Sequence, residues 1–389
     1  RLHKLRVIFC SDNPFTELPE VLGQCAPLSM VGFKANRIRR VSPQALPPKL
    51  RWLILTDNAL TELPAAIGQC TGLQKLMLAG NQLQSLPPEL ALCTRLELLR
   101  ISANQLTALP PWLLHMPRLT WLAFAGNPFT QALEAQALVN APTPPLAWSR
   151  LALNHKLGEG ASGVIHQAVL HTHPGTQAVA VKLFKGSVTS DGLPECEMAA
   201  CMQAGAHPHL VSAMARVSDH PEGQQALVMP LISPEFGNLA GPPSLESCTR
   251  DVYASNKRLS WQSALRIARG IAAAVQHLHA CGIVHGDLYA HNILHTDAGD
   301  VLLSDFGAAA FFDIHDTVLA SGLQKLEVRA LGCLLEELAA QCDAEHPSWI
   351  QLQALANQCL VDLPAQRPSL AEVCIALKAL KPNHAPIAT

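Results

Sequence analysis

The chain has 389 residues, 49% of them hydrophobic and 15% charged, and carries a formal net charge of −2 at pH 7. This length suffices for two domains with separate cores. The nearly balanced charge argues against a nucleic-acid-binding surface and against a polybasic membrane anchor.

The sequence contains no apolar run near the ~20 residues that cross a bilayer, and it does not open with a signal sequence. We therefore expect a cytoplasmic protein without a membrane span. Because the first residue is Arg1 and not methionine, we expect the natural start to lie upstream.

Leucine opens six successive units of 22 or 23 residues in the first part of the chain, at Leu5, Leu28, Leu50, Leu73, Leu96 and Leu119. An asparagine follows eight residues after each opening leucine, at Asn13, Asn36, Asn58, Asn81, Asn104 and Asn127. This pattern resembles the leucine-rich repeat, which implies an α/β repeat solenoid with one parallel sheet. We expect the asparagine carboxamides to bond the backbone of neighbouring turns as a ladder.

Twelve cysteines are spread over the chain without C-x-x-C pairing, and we expect them to be reduced. Three of them, Cys25, Cys70 and Cys93, recur at one repeat position, which Met116 takes in the next unit. A position that accepts methionine serves packing volume and not sulfur chemistry.

The concave strand face of the solenoid is unusually apolar. The second and fourth residues after each opening leucine should point outward from it, and together they form a hydrophobic ridge typical of a protein-binding site. We predict that a protein substrate or regulator contacts Met30, Trp52, Ile54, Met77, Leu98, Arg100 and Trp121. The alternative is that this face docks on the second domain of the same chain.

We predict a repeat domain over residues 1–139 that ends in a cap helix, Gln131–Val139. Residues 140–149 are rich in proline, which favours a stiff spacer. The second domain is predicted over residues 150–389.

The second domain contains the segments His285-Gly286-Asp287-Leu288-Tyr289-Ala290-His291-Asn292 and Ser304-Asp305-Phe306-Gly307. Their patterns, H-x-D-L-x-x-x-N and D-F-G, resemble the catalytic and metal-binding loops of protein kinases. The resemblance implies that Asp287 accepts the proton of the attacking hydroxyl, while Asn292 and Asp305 bind Mg²⁺. It further implies an α+β bilobal fold with ATP bound between a small lobe, about 150–232, and a large lobe, about 233–389.

A glycine-rich segment precedes a strand that ends at Lys182, as in kinases, where glycines let backbone amides approach phosphates. A buried lysine needs an anionic partner, and we prefer Glu197 to Glu195 from its distance to the segment 207–211, which resembles the family's H-P-N-I-V. The resemblance implies that Met229 borders the back of the nucleotide pocket, and that the carbonyl of Pro230 and the amide of Ile232 bond adenine. The implied nucleotide-binding residues are Leu157, Gly158, Gly160, Ser162, Gly163, Val164, Lys182, Met229, Pro230 and Ile232.

Four features depart from the kinase pattern. Tyr289 stands where serine/threonine kinases carry the lysine that neutralises the γ-phosphate, and we expect His291 or another basic group to supply that charge. Gly286 replaces the arginine that reads a phosphorylated activation loop. An A-P-E motif is absent from the short activation segment, so Arg367 lacks its usual glutamate partner.

We predict an ATP-dependent protein kinase, serine/threonine-directed, with a repeat domain for partner or substrate binding. One alternative is a small-molecule phosphotransferase, because H-G-D-L-x-x-x-N also resembles aminoglycoside and choline phosphotransferases. The other is a pseudokinase scaffold that acts through its repeat domain.

Overall fold

The computed structural model describes residues 4–141, 143–186, 188–342 and 346–381. Parts of the predicted units lie outside these residues, namely 1–3, Pro142 of the spacer and 382–389. Within the described ranges, no helix has both the length and the apolar character that a bilayer crossing requires.

The first part of the chain is a solenoid built on a six-stranded parallel sheet in chain order. Each of the first five strands is followed by a short 3₁₀ helix, over Glu20–Gln24, Pro43–Ala45, Ala65–Gln69, Pro88–Leu92 and Pro111–His115. A helix, α1 (Gln131–Asn140), closes the array. The strands are β1 (Val7–Phe9), β2 (Met30–Gly32), β3 (Trp52–Ile54), β4 (Lys75–Met77), β5 (Leu98–Arg100) and β6 (Trp121–Ala123).

The register of this sheet confirms the predicted repeat pattern. Strand residues at the same repeat position pair across the whole sheet, so that Lys75 pairs with Leu98 and Leu98 with Trp121. The residue between the two outward positions is apolar in every strand, and its side chain lies in the solenoid core for β2 to β6. Among the residues that the structure describes, no two cysteines are joined by a disulfide bond.

The asparagines form the predicted ladder. Nδ2 of Asn104 donates to the carbonyl of Leu78, one turn away, at 3.0 Å and to the carbonyl of Ile101 in its own turn at 3.1 Å. Its Oδ1 accepts from the amide of Leu83 at 3.0 Å. Each buried asparagine thus satisfies backbone groups that would otherwise lie unpaired in an apolar core.

The second domain has a small lobe built on a five-stranded antiparallel sheet with the order β10-β11-β9-β8-β7. One helix, α2 (Pro194–Ala204), packs beside this sheet and contacts α1 of the repeat domain. The strands are β7 (Leu151–Glu159), β8 (Gly163–Thr172), β9 (Gly175–Phe184), β10 (Ala215–Val217) and β11 (Ala226–Pro230).

The end of the predicted spacer belongs to this lobe. Pro145 forms a β-bridge with Arg216, and the amide of Leu146 donates to the Arg216 carbonyl at 2.8 Å. The described part of the spacer therefore packs on the small lobe.

The large lobe is mainly helical. Its central helix, α3 (Trp261–Ala280), buries Ile267, Ile271 and Val275 on one face and begins at a capping serine, Ser260. The other helices are α4 (Thr317–Gln341), α5 (Trp349–Cys359) and α6 (Leu370–Ala379). Two small sheets complete this lobe. One has the strand order β12 (Gly237–Asn238), β14 (Ile293–His295), β15 (Val301–Leu303), and the other pairs β13 (Ile283–Val284) with β16 (Ala310–Phe311).

The concave face of the repeat sheet docks on the second domain. Met77, Leu98 and Trp121 belong to the same buried core as Leu288 and Tyr289 of the large lobe. A second shared core joins the interior of the solenoid to β13, β16 and the start of α4. The two domains therefore share buried apolar surface.

This docking corrects the prediction of a partner on the concave face and favours its alternative. Four of the predicted partner-binding residues are buried in the contact, namely Met77, Leu98, Arg100 and Trp121. Met30 is also buried, while Trp52 and Ile54 are half-buried. The open part of the face lies toward β1, where Phe9 is 46% exposed.

We expect Asn104→Ala to lower the free energy of unfolding by about 2–4 kcal/mol, because it leaves buried backbone groups of two turns without partners. Urea denaturation of the whole chain measures the effect. Asn13→Ala is the matched control, since Asn13 is exposed and, within the described ranges, its side chain bonds only the Ser11 carbonyl in its own turn. Equal losses in the two variants would contradict the ladder's role.

Candidate active site

His285 anchors the loop that carries Asp287. Its Nδ1 accepts from the Asp287 amide at 3.3 Å, so its Nε2 carries the proton and donates to the Ser304 carbonyl at 3.0 Å. The amides of His285 and Gly286 donate to Oε1 of Glu327 at 2.8 and 3.0 Å. Helix α4 thereby fixes residues 285–292, which we call the catalytic loop after the kinase motif that they resemble. This loop in turn bonds Ser304, the residue before Asp305.

Glu327 is fully buried, and Nε2 of His279 lies 2.7 Å from its other oxygen. Burial works to raise the pKa of Glu327, but the bond from His279 and the Gly286 amide hold that pKa below its ordinary value. The carboxylate therefore stays ionised as an acceptor for the loop amides. Sequence reasoning missed Glu327, because its partners lie about 40 residues away.

Lys182 of β9 and Glu197 of α2 form an ion pair between Nζ and Oε1. Both side chains are largely buried, and the pair therefore compensates two charges that would be unfavourable alone. Burial raises the pKa of Glu197, and Lys182 opposes that shift. The structure thus pairs Lys182 with the preferred glutamate and not with Glu195.

Asn292 and Asp305 both line one cleft. Nδ2 of Asn292 donates to the carbonyl and to Oδ2 of Asp287 at 3.0 and 2.8 Å, and its Oδ1 has no hydrogen bond among the described residues. Asp305 accepts one hydrogen bond, from the amide of Gly307 at 3.0 Å. Carboxylate and carboxamide oxygens are the ligands that a divalent metal shares with phosphates. These residues therefore fit such a metal.

The cleft has a volume of about 890 Å³ and lies between the lobes. That volume suits a nucleotide-sized ligand. Added Cβ atoms at Gly158 or Gly160 would meet nothing within 4 Å, whereas one at Gly163 would lie 2.5 Å from the Leu183 carbonyl oxygen. Gly158, Gly160 and Gly163 of the glycine-rich loop line the cleft, so the loop presents backbone without side chains there.

Nearly all the predicted nucleotide-binding residues line this cleft: Leu157, Gly158, Gly160, Ser162, Gly163, Lys182, Met229, Pro230 and Ile232. Val164 does not, and the neighbouring Ile165 takes that place. Side chains alternate between the faces of β8, so a shift of one residue exchanges the cleft face for the opposite one. Counting that alternation from Gly163 would have found Ile165.

Arg100 of the repeat domain reaches the catalytic loop and was predicted only as a surface residue. Its Nη2 pairs with Oδ1 of Asp287, its Nη1 donates to the Gly286 carbonyl at 3.0 Å, and its Nε donates to Oδ1 of Asp191 at 2.8 Å. The guanidinium side chain is only 2% exposed. Burial raises the pKa of Asp287, and Arg100 opposes that shift.

Tyr289 packs against the repeat domain. Its ring stacks on Trp121 with centroids 4.1 Å apart and planes 11° apart, and Trp121 Nε1 donates to the Leu288 carbonyl at 3.0 Å. The residue at the position of the family's lysine is therefore turned into the domain interface. It contributes packing there and no charge.

His291, the one residue named in advance as a source of the missing positive charge, lines the cleft. Its Nδ1 lies 2.7 Å from Oδ1 of Asp251. Burial lowers the pKa of His291, but its bond to Asp251 outweighs burial and raises that pKa above its ordinary value.

Gly286 and Arg367 also meet the repeat domain. Gly286 has φ +71°, and an added Cβ would lie 2.7 Å from the carbonyl oxygen of Leu122 and 2.5 Å from that of Ala308. Arg367 donates to the carbonyls of Pro117 and Lys325 at 2.7 and 3.0 Å. A side chain at 286 is therefore excluded by both domains, and the repeat domain provides a partner for Arg367.

Comparison with known families agrees with this architecture. Residues 151–332 match the family of protein tyrosine and serine/threonine kinases, and residues 71–129 match the leucine-rich repeat. The chain therefore joins a leucine-rich-repeat region to a protein kinase domain.

Three similar proteins illustrate the range of relatives. The serine/threonine-protein kinase PknK of Mycobacterium tuberculosis is 31% identical over 156 residues, which cover 40% of this chain and 13% of the relative. The putative cyclin-dependent kinase F-2 of Oryza sativa is 31% identical over 153 residues, 39% of this chain and 45% of the relative. The tyrosine-protein kinase receptor TYRO3 of Danio rerio is 29% identical over 195 residues, 49% of this chain and 22% of the relative. Each match spans less than half of the relative's own length.

We expect Gly286→Ala to destabilise the chain by about 3 kcal/mol or more, since it combines a strained φ with overlap of two backbone oxygens. Thermal or urea unfolding measures the loss. Gly223→Ala is the matched control: its φ is +72° and its Cβ would meet nothing within 4 Å. The control should lose only about 1–2 kcal/mol. Equal losses would show that the two backbone oxygens, of Ala308 and Leu122, do not restrict a side chain at 286.

Proposed function

We propose that this chain is an ATP-dependent serine/threonine protein kinase that uses Mg²⁺. The observation that carries the proposal is the convergence of the Lys182–Glu197 pair, Asn292 and Asp305 on one nucleotide-sized cleft. Asp287 lies next to that cleft, bonded to Asn292. Serine/threonine specificity is supported by the similarity to PknK, although relatives of both specificities match.

In this proposal the glycine-rich loop and Lys182 hold the phosphate chain of ATP, and Glu197 keeps Lys182 in position. Asn292 and Asp305 hold the metal, which supplies positive charge to the phosphates when bound. Asp287 orients the acceptor hydroxyl and takes its proton at a carboxylate oxygen. Asp287 has lone pairs for this role beyond those used by Arg100 and Asn292.

A small-molecule acceptor is the second candidate. The repeat domain covers Leu288 and Tyr289, which lie beside Asp287. This cover leaves less space for a long peptide to reach Asp287. The complete set of phosphate and metal ligands disfavours the scaffold alternative, because a scaffold does not require them.

We further propose that a protein partner or substrate binds the open part of the repeat surface. Exposed Phe9 and half-buried Trp52 support this placement, because they form an aromatic pair with ring centroids 5.9 Å apart. Aromatic side chains of this kind are enriched in protein interfaces.

Transfer from radiolabelled ATP tests the proposed activity, with casein, myelin basic protein and a panel of aminoglycosides and amino alcohols as acceptors. We expect label on protein, recovered as phosphoserine or phosphothreonine. Asp287→Asn should reduce the rate by about 10²–10⁴-fold while nucleotide still binds. Label on a small molecule alone would favour the second candidate, and nucleotide binding without transfer would favour a scaffold.

The two glutamates of α2 provide a matched pair of variants. Glu197→Gln should lower kcat by at least about tenfold, because Lys182 loses its charged partner. Glu195→Gln should change kcat less than about twofold, since Glu195 is exposed and makes no contact with Lys182 among the described residues. Comparable losses in both variants would contradict the assigned partner.

A further inference from the structure

The catalytic loop lacks a basic residue at the position of Tyr289, yet a cation lies against Asp287. Arg100 comes from β5 of the repeat sheet, 187 residues earlier in the chain, and pairs with Oδ1 of Asp287. Phosphoryl transfer depends on fixed positive charge near the transferring group. We propose that Arg100 takes over the charge-balancing and positioning role of the absent lysine; this inference rests on the proposed kinase function.

The geometry of the guanidinium supports a positioning role. It bonds Asp287 and Gly286 of the catalytic loop and Asp191 of the segment between β9 and α2. Arg100 therefore ties the loop that bears the proton acceptor to the segment that precedes Glu197. Asn292 holds the other oxygen of Asp287 at 2.8 Å, so the carboxylate is fixed from both sides.

The same geometry shows that Arg100 does not obstruct the nucleotide cleft. The cleft that Lys182 and Asp305 line stays open, and Arg100 is not among the residues of its wall. The Lys182–Glu197 pair is formed while Arg100 is in place. The docked repeat domain therefore coexists with a complete nucleotide site.

His291 is the competing source of charge. Its Nδ1 and backbone amide are both bonded to Asp251, at 2.7 and 2.9 Å, and no hydrogen bond to Asp287 is present among the described residues. Arg100 contacts Asp287 directly and brings a charge that is permanent at neutral pH. Arg100 is therefore the stronger candidate.

The test compares four forms of the whole chain: wild type, Arg100→Ala, Arg100→Lys and Arg51→Ala. Arg51 is the matched control, because it also lies in the domain interface, with bonds to Gln74 and the Glu246 carbonyl at 2.8 and 3.5 Å, and does not contact the catalytic loop. Initial rates are measured with radiolabelled ATP and myelin basic protein.

We expect Arg100→Ala to lower kcat by about 100-fold with the KM for ATP changed less than about threefold. Arg100→Lys should recover at least about tenfold of that loss, and guanidinium ion added to Arg100→Ala should recover part of it, because a merely structural defect would not respond to charge. Arg51→Ala should retain wild-type kcat. A kcat for Arg100→Ala equal to or above that of wild type would overturn the inference and would instead indicate an inhibitory contact.

If Arg100→Ala does not fold, Arg100→Gln replaces it, and the inference then requires that Arg100→Lys exceed Arg100→Gln at least about tenfold in kcat. Equal rates in these two variants would overturn it.

A second measurement separates this inference from the proposed function. Calorimetry gives the affinity of each variant for ADP with Mg²⁺, with and without aluminium fluoride as a mimic of the transferring phosphoryl group. We expect Arg100→Ala to weaken the aluminium fluoride complex at least about tenfold and to leave ADP binding unchanged. Absence of transfer to any acceptor by wild type would refute the proposed function alone, whereas unchanged aluminium fluoride binding in Arg100→Ala would refute the role of Arg100.

Discussion

The arrangement of the two domains depends on one buried cluster of charges. Arg100 of the repeat domain lies between Asp287 and Asp191 of the kinase domain with almost no contact with water. Burying a guanidinium is unfavourable unless carboxylates compensate its charge. Asp287 and Asp191, whose side chains are 16% and 29% exposed, provide that compensation, so the repeat domain supplies the cation and the kinase domain supplies its partners.

Around this cluster, the unusual residues of the kinase domain are each explained by the neighbouring solenoid. Gly286 leaves space for the carbonyl oxygen of Leu122, Tyr289 stacks on Trp121, and Arg367 donates to Pro117. In sequence these positions look like losses of kinase function. In the structure they belong to the surface on which a second domain packs.

The solenoid is suited to this role because its sheet is regular. Parallel strands in register place Leu98, Arg100 and Trp121 on one face at fixed spacing, and the asparagine ladder holds each turn to the next. The cap helix α1 packs on α2, which carries Glu197. The repeat domain thus contacts both the loop that carries Asp287 and the helix whose Glu197 pairs with Lys182, two elements that the proposed phosphoryl transfer requires to be aligned.

The amino-acid sequence by itself determined the repeat register, the asparagine ladder, the order of the kinase motifs and the Glu197 partner of Lys182, because each depends on local periodicity or short spacing. Only the tertiary structure decided what covers the concave face, which cation meets Asp287 and what replaces the partner of Arg367. Those contacts join residues that are 167, 187 and 250 positions apart, and no periodic signal links them. Apolar outward residues indicate that a surface is covered, but the covering element emerges only when both domains are folded and packed together.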